Sequence, residues 1–168
     1  VIDALLARLV PACEKQVGNA YEIILVNDAS KDRTWDAILA AHTANKHIVG
    51  LDMARNHGHQ LGLTAGLAFA RGGRIFILDA DLQDPPELLS DMWAAMDDGA
   101  AVVHGHRRTR DGETAFQNET AQWLYRLLNQ MTDVDIPHDT RDFRLISRRV
   151  LEALQSMPEQ QRFISGMV

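Results

Sequence analysis

The chain has 168 residues, of which 46% are hydrophobic and 24% charged, a size and composition typical of one folded globular domain and not of a disordered protein. Seventeen Lys and Arg against twenty-three Asp and Glu leave a net charge of −6, so general nucleic-acid binding, which depends on a basic surface, is not expected. The single cysteine, Cys13, excludes an internal disulfide and a zinc site of several thiolates, and no apolar run approaches the roughly 18 residues of a membrane span.

Hydrophobic periodicity predicts helices and strands that alternate along the chain. Helical spacing of apolar residues indicates helices over residues 2–16, 35–42, 60–70, 86–98, 114–131 and from 147 onward. Short apolar runs indicate strands over residues 22–26, 47–51, 74–78, 101–105 and 143–146. Such alternation is typical of an α/β protein with a mostly parallel sheet and helices on both faces. We therefore predict one α/β domain over residues 1–168.

Polar side chains follow the predicted strands at their carboxyl ends, the edge where open α/β sheets bind ligands. Asn27 and Asp28 follow the first strand, Asp52 ends the second, and Asp79 and Asp81 follow the third. Two carboxylates this close repel each other unless a cation or protons intervene, and Mg²⁺ commonly takes one or two carboxylates together with substrate phosphates. At any single position, an aspartate that caps the next helix is an equal alternative.

Four polar stretches stand in order along the chain: Val26–Thr34, Arg55–Gln60, Asp79–Glu87 and Asp142–Leu145. Together they resemble family 2 glycosyltransferases of the GT-A fold, in particular the polyprenyl-phosphate subgroup that includes dolichyl-phosphate mannosyltransferase. The resemblance implies a Rossmann-like, mostly parallel sheet flanked by helices. It also implies an inverting, metal-dependent transfer of a hexose from a UDP- or GDP-sugar to a polyprenyl phosphate, at the cytoplasmic side of the cell membrane in cell-envelope synthesis.

The resemblance assigns the donor and metal site to the stretches after the first and third strands. Asp81 and Gln83, with Asp79, match the ligands of Mg²⁺ or Mn²⁺, which makes Asp81 a catalytic residue through the metal. Asp28 matches the acid that contacts the nucleotide, and Ser30 and Asp79 complete the predicted nucleotide-sugar site. A cation at this place would stabilise the negative charge that develops on the departing diphosphate.

Asp142 matches the acid that the family commonly uses as a catalytic base. A phosphate monoester has a second pKa of roughly 6, so a lipid-phosphate acceptor needs a base far less than a sugar hydroxyl does. Asp142 therefore either accepts a proton or orients Arg144 or the acceptor, and the sequence leaves both roles open. Arg107, Arg108 and Arg144 are expected to bind phosphates of the donor or acceptor, and a solvated loop is the alternative for the basic segment 106–110.

The sequence departs from the family pattern in three ways. The family begins with a strand and a Pro-x-Tyr-Asn-Glu motif, whereas this chain starts in the following helix, so either the numbered sequence omits a strand or the domain lacks it. Asn27, Ala29 and Arg141 stand where the family usually has Asp, Gly and Gly. The C-terminal membrane helices common in the subgroup are not found, so we expect the catalytic-domain portion of a longer protein. A membrane surface is an expected partner of that longer protein, and a homo-oligomer is a further option.

Two other functions stay open on sequence grounds. A nucleotidyltransferase also pairs an α/β sheet with metal-binding carboxylates, and a non-catalytic nucleotide-sugar-binding domain would share the fold. A phosphoryl-accepting receiver domain fits less well, because Asp79 and Asp81, followed by two prolines, do not match its arrangement. We expect His57 and His59 to mark the entry into the next helix instead of binding a metal, and we expect Cys13 to be inert.

Overall fold

The structure, a computed structural model, describes residues 1–105 and 142–157, and all of them except Gly105 belong to one compact unit. The helices in these ranges are α1 (Ile2–Val17), α2 (Thr34–Ala44), α3 (His59–Phe69), α4 (Leu89–Asp97) and α5 (Arg148–Ser156), with a 3₁₀ turn over Pro86–Leu88. The strands are β1 (Ile23–Asn27), β2 (Ile48–Asp52), β3 (Arg74–Ile77), β4 (Val102–His104) and β5 (Arg144–Ser147). In this part of the chain, the helices fall short of the length and apolarity that a bilayer crossing requires.

Each helix and strand predicted within the described ranges is present, with ends that differ from the prediction by at most two residues, except that α4 begins three residues later than predicted, after the 3₁₀ turn over Pro86–Leu88. The predicted helix over 114–131 lies outside the described residues. Strands and helices alternate along the chain as expected, so the α/β class is confirmed.

The strands pair in two ways. β1 runs parallel to β2, with Asn27 opposite Asp52 at their carboxyl ends. β5 lies between β3 and β4 and runs antiparallel to both. The expected parallel pairing is therefore confirmed for β1 and β2, whereas β5 departs from it. An apolar run predicts that a strand is buried but does not predict its direction.

Three clusters of buried apolar side chains hold the elements together. The first joins α1, α2, β1 and β2, the second joins α3, α5, β3 and β5, and the third joins α4 to β5. Phe76 of β3 packs against both the first and the third cluster, which links the two groups of strands. Cys13 of α1 also packs against these two clusters, and burial, with Glu14 as a second cause, raises the pKa of its thiol to about 11. The thiol stays protonated at neutral pH, as expected for an inert cysteine.

A cavity of about 860 Å³ lies along β1 and β3. Every residue of these two strands lines it, together with Gly62 and Gly66 of α3. At the carboxyl ends of the strands the lining is polar and includes Asn27, Asp28, Ser30, His59, Asp79 and Asp142. Four of the predicted site residues, Asp28, Ser30, Asp79 and Asp142, therefore line this cavity.

Candidate active site

The loop before α3 is fastened to the residue that follows β1. The two carboxylate oxygens of Asp28 accept hydrogen bonds from the backbone N–H groups of His57 (2.7 Å) and Gly58 (2.8 Å). Gly58 has a φ of +86°, a left-handed conformation that a side chain would strain, and α3 begins at the next residue. Asp28 thus anchors the loop in the structure, and its predicted contact with the nucleotide stays a prediction.

Asn27 closes the end of β1 and is only 3% exposed. Its amide nitrogen donates to Oδ1 of Asp52 (2.7 Å), and its amide oxygen accepts from the backbone N–H of Ser30 (3.3 Å). An amide donates and accepts at once, whereas the aspartate usual in the resembling family would face Asp52 as a second acceptor. The contacts with Asp52 and Ser30 therefore explain why an asparagine suits position 27. Ser30 itself is exposed in the turn, and its nucleotide-sugar contact stays a prediction.

Asp142 lies at the centre of a polar cluster and is 2% exposed. Its Oδ1 accepts a hydrogen bond from Nη2 of Arg144 (2.5 Å), and its Oδ2 lies 2.6 Å from Nε2 of His59. Arg144, predicted to bind phosphate, is 1% exposed, and burial lowers the pKa of its guanidinium while Asp142 opposes that shift. Both oxygens of Asp142 are thus engaged, one by a buried cation and one by an imidazole whose side chain is 57% exposed.

Asp79 stands beside this cluster, with its Oδ1 at 3.8 Å from Nε2 of His59. Burial raises the pKa of Asp79, and the negative charges of Asp142, Asp81 and Asp84 raise it further, while His59 acts in the opposite direction. Burial is the largest cause of the shift, and the carboxylates of Asp81, Asp84 and Asp142 lie close enough to Asp79 to add a concentration of negative charge.

The residues predicted to bind the metal lie around this concentration of charge. Asp81 is exposed, and its Oδ1 accepts the backbone N–H of Gln83 (2.9 Å), which is exposed as well. Within residues 1–105 and 142–157, the His, Cys, Asp and Glu side chains do not form a group of three that could hold a metal ion. Mg²⁺ commonly takes only one or two carboxylates and fills its other positions with water and substrate phosphates. Asp79, Asp81 and Gln83 offer oxygen ligands of the kind that such an ion takes, and a cation there would offset the neighbouring negative charges that add to burial in raising the pKa of Asp79.

Sequence reasoning missed one member of the site, His59. It predicted a helix-entry role, and His59 is indeed the first residue of α3, but its imidazole also contacts Asp142 and faces Asp79. The available signal was its position, directly after a glycine in a loop that leaves the carboxyl end of a strand. Arg107 and Arg108 lie outside the described residues, and their phosphate-binding role stays a prediction.

Comparison with known proteins decides the family. Residues 3–155 match the family model described as glycosyl transferase family 2. The chain belongs to this family. The family 2 chain is 43% identical over 153 residues to the uncharacterized glycosyltransferase YkcC of Bacillus subtilis, covering 91% of the chain and 47% of that protein. It is 37% identical over 147 residues to the prophage bactoprenol glucosyl transferase homolog of Escherichia coli, covering 88% of the chain and 48% of that protein.

A solved structure supports the same fold. The mannosyltransferase PcManGT from Pyrobaculum calidifontis, in complex with GDP-Man and Mn²⁺, superposes with a TM-score of 0.59 at 18% identity, covering 92% of this chain and 44% of that chain. The predicted GT-A type of α/β fold and the predicted membership of an enzyme family of glycosyltransferases are confirmed. The family 2 chain spans about half the length of the curated relatives it matches.

Proposed function

We propose that this family 2 chain carries the donor-binding and catalytic residues of an inverting transferase that moves a hexose from a UDP- or GDP-sugar to a polyprenyl phosphate. The Escherichia coli relative is named for bactoprenol, a polyprenyl lipid, and for glucosyl transfer, which favours this acceptor class and a hexose donor. The solved mannosyltransferase of the same fold holds a nucleoside-diphosphate hexose and Mn²⁺.

The proposal depends on one observation: the carboxylates of Asp79 and Asp142 both lie close to the imidazole of His59, at the carboxyl ends of β1 and β3. Nε2 of His59 lies 2.6 Å from Oδ2 of Asp142 and 3.8 Å from Oδ1 of Asp79. Carboxylates gathered in this way suit the binding of an anionic diphosphate through a divalent cation, because the cation attracts both partners. A site for a neutral ligand would gain nothing from this concentration of negative charge.

Asp79, Asp81 and Gln83 would hold the Mg²⁺ or Mn²⁺. When bound, the cation supplies Lewis-acid stabilisation of the departing diphosphate without proton transfer. Asp28 and Ser30, which follow β1 at the rim of the cavity, would line the nucleotide side of the donor site.

The contacts of Asp142 favour an orienting role over that of a base. In the proposed reaction an acceptor phosphate oxygen bonds to the anomeric carbon as the bond from that carbon to the diphosphate breaks, which inverts the configuration. The acceptor is largely ionised at neutral pH, so no proton must be removed. Asp142 already contacts Arg144 with one oxygen and His59 with the other. The buried ion pair of Asp142 and Arg144 would thereby keep the site in shape. Arg107 and Arg108 would contribute phosphate contacts.

The proposed acceptor determines where the reaction takes place. A polyprenyl chain anchors its phosphate in a bilayer, since each buried CH₂ contributes about 0.8 kcal/mol. The membrane surface is therefore a proposed partner of the longer protein, and the family resemblance favours the cytoplasmic side of the cell membrane as the place of the reaction.

The metal assignment is tested by replacing Asp81. Melting temperatures of the wild type, Asp81→Asn and the control Asp98→Asn are measured with UDP, GDP, UDP-glucose and GDP-mannose, each with and without Mn²⁺. A ligand at 100 times its Kd adds about 2.7 kcal/mol, so a specific nucleotide will show itself in the wild type. We expect Asp81→Asn to weaken Mn²⁺-dependent binding at least tenfold, and we expect the control, which removes an exposed carboxylate after α4, to bind like the wild type. Equal Mn²⁺-dependent stabilisation of Asp81→Asn and wild type would contradict the assignment.

Turnover separates the proposal from its alternatives. The wild type is incubated with the stabilising nucleotide sugar, Mn²⁺ and undecaprenyl or dolichyl phosphate in detergent. A glycosyl lipid together with free nucleoside diphosphate is the expected product pair. Donor binding without any product would instead indicate a non-catalytic binding domain, and formation of a nucleotide sugar from a sugar phosphate and a nucleoside triphosphate would indicate a nucleotidyltransferase.

A further inference from the structure

His59 is the exposed member of an otherwise buried cluster. Asp142 and Arg144 are 2% and 1% exposed, whereas the side chain of His59 is 57% exposed and lines the polar end of the cavity. An exposed histidine contributes little to a hydrophobic core, so a purely structural need does not account for its placement.

The backbone and the ring of His59 are both held in place. The N–H groups of the two preceding residues are bound by the carboxylate of Asp28, which fixes the start of α3 relative to β1. The ring is held through Nε2, 2.6 Å from Oδ2 of Asp142. Since an ionised carboxylate only accepts hydrogen bonds, Nε2 carries the proton in this contact and donates it.

Nε2 of His59 lies between two carboxylates that come from different parts of the fold. Asp79 follows β3 and Asp142 precedes β5, and Nε2 of His59 lies 3.8 Å from the first and 2.6 Å from the second. Without the imidazole, buried Asp142 would lose this hydrogen bond, which is costly for a charged group, and the bridge that Nε2 makes between the two acids would be absent.

We propose that His59 is a positioning residue of the transfer site, which holds Asp142 through Nε2 and thereby fixes Asp142 relative to Asp79. The inference deepens the proposed function and rests on it, because it names a residue that sets the geometry of the transfer step. His59 acts through Asp142 and is not itself one of the proposed metal ligands, Asp79, Asp81 and Gln83.

Two substitutions separate the contact at Nε2 from other uses of the ring. The amide nitrogen of glutamine stands as many bonds from Cα as Nε2 of histidine, so His59→Gln can still donate to Asp142. The shorter asparagine reaches only as far as Nδ1, so His59→Asn cannot. His57→Gln is the matched control, because His57 is an exposed histidine of the same loop that joins the cluster only through its backbone.

We expect His59→Asn to lower kcat by about 10- to 100-fold, the usual effect of removing a residue that orients a site ligand. Its Mn²⁺-dependent Kd for the donor should stay close to that of the wild type, since Asp79 and Asp81 are untouched, whereas its melting temperature should fall because buried Asp142 loses a hydrogen bond that His59→Gln keeps. His59→Gln should recover most of the lost kcat, and His57→Gln should match the wild type. Full activity of His59→Asn, or a kcat of His59→Gln as low as that of His59→Asn, would overturn the inference.

A spectroscopic measurement reads the contact without any reaction. In ¹⁵N–¹H correlation spectra of the metal-free wild type, we expect the ring of His59 as the Nε2–H tautomer, and we expect Asp142→Asn to shift its Nε2 resonance. A proton on Nδ1 alone, or no response to Asp142→Asn, would overturn the inference. If the wild type is inactive with every donor and acceptor tested, both the proposed function and the role of His59 are overturned. If the wild type is active and His59→Asn is equally active, only the role of His59 is overturned.

Discussion

At the scale of single residues, Asp79 connects the stability of the chain with its proposed function. Asp79 follows β3, where burial and three neighbouring carboxylates raise its pKa. A carboxyl group whose pKa is higher in the folded chain stabilises the fold below its unfolded pKa, and this contribution is lost as the pH rises through the folded pKa. At neutral pH, in the absence of a metal, the ionised form of Asp79 is therefore unfavourable for folding.

We predict that Asp79→Asn raises the free energy of unfolding of the metal-free chain at pH 7 by roughly 0.5–1 kcal/mol, with a smaller gain at pH 4 where the wild-type carboxyl is protonated more. Urea unfolding at the two pH values measures it, with Asp98→Asn as a control that should change little. Nucleotide and Mn²⁺ together should stabilise the wild type and not Asp79→Asn. A loss of stability of equal size at both pH values would show that Asp79 serves the fold and not the donor site.

The sequence identified the acids of the site but not their contacts. The spacing of Asp79 and Asp81 after an apolar strand, and the motif around Asp142, predicted a site at the carboxyl ends of the strands, and the structure brings Asp79 and Asp142 together at His59. The contact of Asp142 with His59 joins residues 83 positions apart, and no periodicity records a side-chain contact over that distance. The burial of Arg144 was not predictable either, because an arginine two residues after the motif acid is equally compatible with binding a phosphate.

At the scale of elements, two glycines show how closely the layers pack. A Cβ at Gly50 of β2 would lie 2.6 Å from Cγ2 of Ile38 and 3.0 Å from the ring of Trp35 on α2. Ile38 is 1% exposed, so other side chains of the core surround it. A Cβ at Gly62 of α3 would meet a methyl group of Val26 at 3.8 Å, an ordinary contact.

The same chemical change is therefore expected to have opposite effects at the two positions. We predict that Gly50→Ala lowers the free energy of unfolding by about 1–3 kcal/mol, as overpacking does in a filled core. Gly62→Ala should raise it by about 0.5–1 kcal/mol, because alanine restricts the unfolded chain and suits a helix interior. Denaturant titration of both variants measures the difference, and a stabilised Gly50→Ala would show that α2 does not press on β2 as the structure has it.

Element positions were predictable because each helix and strand carries its own apolar pattern, as α4 and β3 do. The direction of β5 was not, because its apolar run is compatible with either pairing. Its antiparallel placement depends on contacts with β3 and β4 from distant parts of the chain.

At the scale of the whole molecule, the cavity separates two sheet edges. Among the described strands, β1 pairs only with β2 and β3 pairs only with β5, so each of β1 and β3 has a second edge without a paired strand. Ile23 donates its N–H to His47 and Asn27 accepts from Met53, so the odd-numbered residues of β1 bond toward β2. In a parallel ladder the backbone groups of Ile24 and Val26 then point the other way, and both residues line the cavity. An extended strand in this place could pair with β1 and β3 together.

The family resemblance implies such a strand before α1, and the cavity provides walls for it. We predict that a version of the protein extended before Val1 by that strand is more stable than the 168-residue chain, by about 2 kcal/mol for each large apolar side chain that the strand buries. Its urea m-value should rise as well, because more surface becomes exposed on unfolding. Hydrogen exchange gives the local test: the amide protons of Ile24 and Val26 should exchange slowly in the extended version and faster in the shorter chain, while that of Ile23, already bonded to His47, should differ less. Equal exchange of Ile24 and Val26 in both versions would mean that the added residues do not pair with β1, and the cavity would then belong to a ligand instead of a strand.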